Sequence, residues 1–290
     1  MRAAVVLAMP LAAALQTVET LGKRAQALRK TWNLRAPPSE SDFFFDSVFQ
    51  GGEPETGSAG PRSFSNWLVP GKIMLGQYPH RQPAVPGPSA AECEAHVRAL
   101  VGGARVRTFV QLQAELPPQD DVNAWPAGGV RLPDARDRAR FPAAFENYAA
   151  CAGGLGADVA YLHSPIVDLD VPDDGALVAA LDGVLSRLEA APGDAVYVHC
   201  WGGRGRAGTV GACALSLLFP ELDGDEVLGV VQAAYSSRLG ASTMPGQLKR
   251  SPQTEAQRDF VRAFVGRVRA RPAKERTWPK WQDDLPSGGL

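Results

Sequence analysis

From residue 72 to residue 268 short apolar runs alternate with longer segments whose apolar positions recur at helical spacing. Lys72-Ile73-Met74-Leu75-Gly76 reads as a strand. Ser89 opens a helix through a capping box with Glu92, and Cys93, Val97, Leu100 and Val101 share its apolar face. Val106 to Leu112 alternates and is β-branched, which predicts a strand. Pro118 to Arg138 is polar and irregular, and Phe141 to Leu155 predicts a helix after Pro142. Val159 to Val167 predicts the next strand. Asp173 then N-caps a helix that turns Leu177, Leu181, Val184, Leu185 and Leu188 inward. Asp194 to Val198 is a short buried strand, and Ala207 to Phe219, apolar nearly throughout, a buried helix. Two more helices follow, one over about Asp225 to Leu239 and one opened by a Thr254–Gln257 capping box, with Phe260, Val261, Phe264, Val265 and Val268 inward.

Strands alternating with helices predict an α/β fold, a central and mostly parallel sheet flanked by helices on both faces. One domain over residues 63–271 accounts for the patterned part. Residues 1–62 form an N-terminal extension and residues 272–290 a polar tail. Within the extension, residues 50–62 are a Gly/Pro/Ser/Glu run with nothing to bury, read as a flexible loop.

Composition changes this picture little. At 45% hydrophobic and 21% charged residues the 290-residue chain is an ordinary globular protein, and its net charge of −1 offers no basic excess for nucleic acid. Cys93, Cys151, Cys200 and Cys213 form no Cys-x-x-Cys pair and suggest neither a zinc site nor a disulfide framework. Three of them fall on helical patterns and are expected as small core residues, in a reducing compartment. The N-terminus has no run long and apolar enough to span a membrane. Before Pro38 its only acidic residue is Glu19, against Arg2, Lys23, Arg24, Arg29, Lys30 and Arg35. Three readings fit: a helix docked on the domain, a transit segment for an organelle, or a secretory signal. The cytoplasm is the expected location, with an organelle as the alternative.

The stretch His199-Cys200-Trp201-Gly202-Gly203-Arg204-Gly205-Arg206 joins the buried strand to the buried helix. Ligands of parallel sheets bind at the carboxyl ends of strands, and a helix start offers unpaired N–H groups and a positive dipole end. Gly202, Gly203 and Gly205 allow the loop to curl so that successive N–H groups point inward around an oxyanion, a phosphate-binding loop of residues 201–205. Arg206 closes the ring with a fork suited to two phosphate oxygens. Cys200 sits beneath, where amides, dipole and guanidinium favour a thiolate. An ionised sulfur in a phosphate cradle points to attack on phosphorus and a phosphocysteine intermediate. The leaving oxygen needs a proton, and the loop after the neighbouring strand offers Asp168 and Asp170.

His199-Cys200, five residues and Arg206 resemble the signature of the cysteine-dependent protein tyrosine phosphatase superfamily, and the compact size is similar to its dual-specificity branch. Lys72 to Gly76 resembles that branch's opening strand. Pro165-Ile166-Val167-Asp168, with Pro172 beyond, is similar to the general-acid loop and selects Asp168 over Asp170. Gln253-Thr254-Glu255-Ala256-Gln257 resembles the late glutamine loop. The resemblance implies Cys200 as nucleophile, Arg206 as phosphate ligand, and Asp168 as general acid. It also implies that His199 orients the loop and that Gln253 positions the hydrolytic water, with Gln257 the motif's second glutamine. It implies no cofactor and no metal. A phosphorylated protein or a phosphoinositide is the implied substrate, the latter because Arg204 widens the positive field.

One departure stands out. The family sets Ser or Thr directly after the arginine to assist phosphocysteine breakdown; here the residue is Ala207, and Thr209 lies two further on. The expected activity is phosphomonoester hydrolysis. The alternatives are a catalytically weak pseudophosphatase or phosphate-binding adaptor, and more remotely a rhodanese-like sulfurtransferase.

Overall fold

Alternation along the strands decides how the sheet is covered. Ile73, Leu75, Val196 and Val198 turn to one side, Met74, Ala195 and Tyr197 to the other, and each set belongs to a separate apolar core. The computed structural model describes residues 11–51, 60–84 and 87–270. In chain order these form α1 (Leu11–Thr31), the single turn α2 (Glu40–Phe43), β1 (Val48–Gly51), β2 (Gly60–Ser63), β3 (Ser65–Val69), β4 (Ile73–Gly76) and α3 (Ala90–Arg98). Then come β5 (Val106–Gln113), α4 (Ala135–Arg140), α5 (Ala149–Gly153), β6 (Ala160–Ile166), α6 (Asp174–Ala190) and β7 (Ala195–His199). Three helices close the described chain: α7 (Arg206–Leu218), α8 (Gly224–Ser236) and α9 (Glu255–Arg269).

The main sheet runs β3-β4-β7-β5-β6, with β4, β7, β5 and β6 parallel and β3 antiparallel at the edge. The expected α/β architecture is what is found. β7 is central, and Gly76 of β4 and Gln111 of β5 both pair with His199. β4 and β7 therefore finish level at the residue before Cys200, and β5 runs two residues further, to Gln113.

The larger core gathers α1, α6, α7, α8 and α9 on one face; α3 and residues around α5 cover the other. The capping signals behave as written. Ser89 accepts from Glu92 N–H at 3.3 Å, and Asp173 accepts from Ala176 N–H at 2.7 Å. All five inward residues of α6 named above are buried. So are Cys93 and Cys213, whose thiols burial pushes up.

Two expectations need correction. The helix expected over 141–155 shrinks to Ala149–Gly153. Phe145 instead exchanges both backbone bonds with Val130, at 2.8 and 2.9 Å, and buries its ring, so tertiary packing overrides the local pattern. Conversely the sheet gains β3, an edge strand whose Ser65 and Asn66 disguised it as loop. The Gly-rich run falls mostly on residues 52–59 and the polar tail on residues 271–290, outside the described residues.

Of the readings of the N-terminus, the described part has the form of a docked helix. Leu21, Ala25 and Leu28 enter the larger core. Gln26 Nε2 donates to the carbonyls of Leu217 and Leu218, at 2.5 and 3.0 Å, and so satisfies the open end of α7. Arg24 grips Glu189 on α6 through Nε at 2.9 Å, and Arg29 stacks on Phe219 with its Cζ 4.4 Å from the ring centre. Among the described residues no helix is long and apolar enough to cross a membrane.

If α1 is part of the core, Leu21→Ala will cost about 3 kcal/mol of stability, the usual range for a buried leucine. Urea unfolding of the two proteins measures it, and a surface-like change under 0.5 kcal/mol would contradict the docking.

Candidate active site

Between the end of β7 and the start of α7, residues 200–205 turn through a tight curl. Gly203 makes the curl. Its φ of +68° lies in the left-handed region, and a Cβ there would stand 2.1 Å from the Gly76 carbonyl carbon.

The carbonyls of residues 201–205 are all bonded. Trp201 O accepts from Tyr78 N–H (2.9 Å) and Gly203 O from Arg238 Nη2 (2.9 Å), while Gly202 O takes a longer contact from Arg238 Nη1 (3.4 Å). Arg204 O accepts from Ser251 Oγ (2.9 Å), and Gly205 O from both the N–H and the hydroxyl of Thr209 (2.9 and 3.0 Å). The N–H groups of residues 201–206 meet no acceptor among the described residues. Carbonyls pinned out and amides left in make an anion nest at the start of α7.

Arg206 closes it. The side chain is 1% exposed, and its fork grips Glu115 with Nη1 at 2.7 Å and Nη2 at 2.9 Å. Nη2 also lies 2.9 Å from Asp168 Oδ1, and Nη1 donates to Ile166 O at 3.1 Å. Nε is buried and has no partner. Burial opposes the Arg206 charge, but Glu115, Cys200 and Asp168 outweigh it and hold the guanidinium protonated. Burial likewise works against the Glu115 carboxylate, and Arg206 overrides it, holding the carboxyl below its usual range. The sequence reading expected the fork to wait for phosphate. Instead Glu115 fixes the fork, and the unpaired Nε is the donor left for an oxyanion.

The base of the loop is equally constrained. His199 is fully buried, its Nε2 lies 2.7 Å from Tyr148 Oη, and its ring stands edge-on to Tyr78. Burial pushes His199 down to about 3, so the imidazole is neutral. Arg238, 6% exposed, braces the loop from behind. Besides the two glycine carbonyls it donates to Leu75 O at 2.9 Å and Asn66 Oδ1 at 2.6 Å. Among the described residues it has no carboxylate partner, and burial pulls it below the usual arginine range.

The structure brings Asp168 to Arg206 and leaves Asp170 aside, its Oδ1 taken by Val171 N–H at 2.8 Å. Arg204 is half-buried and donates from Nε to Gln253 Oε1 at 3.2 Å. Gln257 is fully buried; its Oε1 accepts from the N–H groups of Gln253 and Thr254, both at 3.1 Å. Trp201 donates to Pro83 O at 3.1 Å and stands edge-on to Phe145, which fits a rim aromatic.

Sequence reading missed Glu115 and Arg238. Glu115 had a usable signal, since it stands two residues past β5, the strand beside β7, at the end where ligands bind. Arg238 had none: a cation just past a helix C-terminus reads as a partner for the helix dipole.

The description of the family model that matches residues 150–261 is PTP-SAK, Swiss Army Knife protein, DSP-PTPase phosphatase domain. That span contains Asp168, Cys200, Arg206, Gln253 and Gln257. No curated protein matches the chain. Among solved structures the fold is similar to PTPMT1 (20% identity, 70% of this chain and 96% of that one, TM-score 0.41). It is also similar to the kinase associated phosphatase KAP (12%, 82% and 99%, TM-score 0.45). A third is the core catalytic domain of the PP-IP phosphatase SIW14 from S. cerevisiae (13%, 78% and 85%, TM-score 0.38).

His96, stacked on Phe64 of a small separate cluster, is also pushed down to about 3 by burial, against an ordinary value of 6.5. Both His96 and His199 are then neutral when folded and take up protons on unfolding. Their contribution is complete above about pH 6.5 and shrinks as pH falls toward 3. Between pH 6 and 5 each histidine should steepen the loss by up to about 1.4 kcal/mol per pH unit. His199→Asn should therefore flatten the stability–pH curve in that window, read by urea melts, and an unchanged slope would contradict the neutral buried ring.

Proposed function

We propose that Cys200, Arg206 and Asp168 carry phosphomonoester hydrolysis of the dual-specificity phosphatase type, a reading supported by the match of residues 150–261 to a DSP-PTPase phosphatase domain. One observation carries the assignment of residues: the nest of free N–H groups over residues 201–206, sealed by the unpartnered Nε of Arg206.

Three phosphoryl oxygens fill the nest and place phosphorus above Cys200 Sγ. The thiolate attacks, the P–S bond forms and the bond to the leaving oxygen breaks. The Asp168 carboxyl hands its proton to that oxygen. Water then attacks the phosphocysteine while the Asp168 carboxylate takes its proton, and the P–S bond breaks to return thiolate and inorganic phosphate. Arg206 and the amides are aimed at the equatorial oxygens, where charge collects in both transition states. The neutral His199 takes no proton.

Ala207 shifts the balance between the two steps. It is fully buried, and the nearby Thr209 hydroxyl is already bonded to Gly205 O. No hydroxyl from either residue is left to assist the departing sulfur, so phosphocysteine hydrolysis is the slow step. The adaptor reading becomes a slow enzyme, and the sulfurtransferase reading has no support in the family match.

Phosphoprotein and phosphoinositide substrates both present the required monoester. Arg204, a cation at the rim without a carboxylate partner among the described residues, supports multiply phosphorylated headgroups over a single phosphate.

With p-nitrophenyl phosphate, Cys200→Ser should abolish turnover, and Asp168→Asn should lower kcat/KM for poor leaving groups by about 100-fold or more. The wild type should release a burst of nitrophenol before a slower steady state, and Ala207→Ser should raise the steady rate without changing the burst. Equal rates for wild type and Cys200→Ser would refute the assignment.

A further inference from the structure

In the resemblance Gln257 is one of a pair of glutamines near the hydrolytic water; in the structure both ends of its amide are already committed. Oε1 accepts from Gln253 and Thr254 N–H, and Nε2 donates to Asp170 O at 3.0 Å. The orientation is fixed by chemistry, because a flipped amide would set oxygen against a carbonyl and nitrogen against two N–H groups. Thr254, the other half of the capping box, has the same double duty. Its hydroxyl accepts from Gln257 N–H at 3.2 Å and donates to Leu169 O at 3.4 Å. The first turn of α9 thus holds two consecutive carbonyls of the loop that carries Asp168. A Cβ at Gly205 would lie 3.2 Å from Gln257 Oε1, so the same amide also lies against the phosphate cradle.

The loop needs such ties. Val167 and Leu169, on either side of Asp168, are 62% and 51% exposed, so neither anchors it by burial. Leu169 sits at φ +64°, a conformation that a leucine keeps only when its surroundings enforce it. The polar ties that remain are Asp168 to Arg206, Leu169 O to Thr254 and Asp170 O to Gln257.

We propose that the capping box of α9 latches the acid loop over the cradle, with Gln257 the positioning residue that keeps Asp168 within reach of the leaving oxygen. This rests on the reading of Asp168 as general acid. Gln257→Glu isolates the latch. A glutamate is a normal capping-box partner and still accepts from the two N–H groups, but it turns an acceptor toward Asp170 O. The readout is kcat/KM, which reports the first chemical step, for p-nitrophenyl phosphate and for phenyl phosphate. Nitrophenolate leaves with little help; phenolate needs the acid.

Gln257→Glu should lower kcat/KM for phenyl phosphate about 10-fold more than for p-nitrophenyl phosphate, a tenth or less of what a general acid supplies in full. Equal losses on both substrates, as a weakened cap or an added charge would give, overturn the latch. Asp168→Asn measured alongside separates the two claims. If it shows no leaving-group selectivity, the general-acid reading fails. If it does and Gln257→Glu does not, the latch alone fails. Should the buried charge prevent folding, the neutral Gln257→Met reads the same ratio. Combined with Asp168→Asn it should add no further selectivity, and added selectivity would overturn the proposal.

Discussion

The amides of residues 201–206 meet no acceptor among the described residues, while the carbonyls between them are bonded elsewhere. A peptide curl has as many acceptors as donors, and left alone it would satisfy them against each other or against water. Here Tyr78, Arg238, Ser251 and Thr209 take the carbonyls of residues 201–205 from outside the ring. These partners come from the end of β4, the segment after α8, the loop before α9 and the first turn of α7. The level ends of β4 and β7 set that frame. The anion site is therefore a property of the whole sheet end rather than of the eight residues that line it, and the buried His199 makes the point again from beneath.

The same frame governs charge. A guanidinium buried as deeply as Arg206 is expensive to desolvate unless it is paired and its donors are used. Glu115 supplies the pair and, by gripping Nη1 and Nη2 together, also sets the plane of the fork. Arg238 is the more unusual of the two, a second buried cation whose partners are three carbonyls and an amide oxygen. Together the two arginines carry more charge than the half-buried Glu115 offsets. A phosphate dianion entering the nest meets the same surplus.

Legibility in the sequence followed the range of the interactions. Every strand of the parallel core was readable, because burial on both faces leaves continuous apolar runs bounded by glycine or polar turns. Helices opened by reciprocal caps, at Ser89 and Thr254, were readable to the residue, since a capping box spans only four positions. The pattern failed where distant groups decide conformation. Phe141 to Tyr148 looks helical but is held open by the Val130–Phe145 bridge. Cys200 and Arg206 stood out through spacing within one short segment, and Asp168 through the resemblance of its loop. Glu115 and Arg238 lie 91 residues before and 32 after Arg206, and no local spacing records that they meet it or its loop.

Ala207 shows how one frame can redistribute a chemical duty. A hydroxyl after the arginine would act on the sulfur directly. The hydroxyl nearest in sequence, on Thr209, instead bonds Gly205 O, helping to turn that carbonyl out of the ring. Departure of the thiolate then depends on fixed donors, the amides and the start of α7, which need no reorganisation when charge returns to sulfur. Those donors favour the anion before attack as well as after release. In the proposed mechanism, lowering the thiolate states relative to the covalent one eases release of the sulfur and by the same measure opposes its attack, whereas a hydroxyl contact made only in the second transition state would favour that step alone. The proposed cradle hydrolyses its phosphocysteine without dedicated help, so its kinetic signature lies in the ratio of the two steps rather than in either rate.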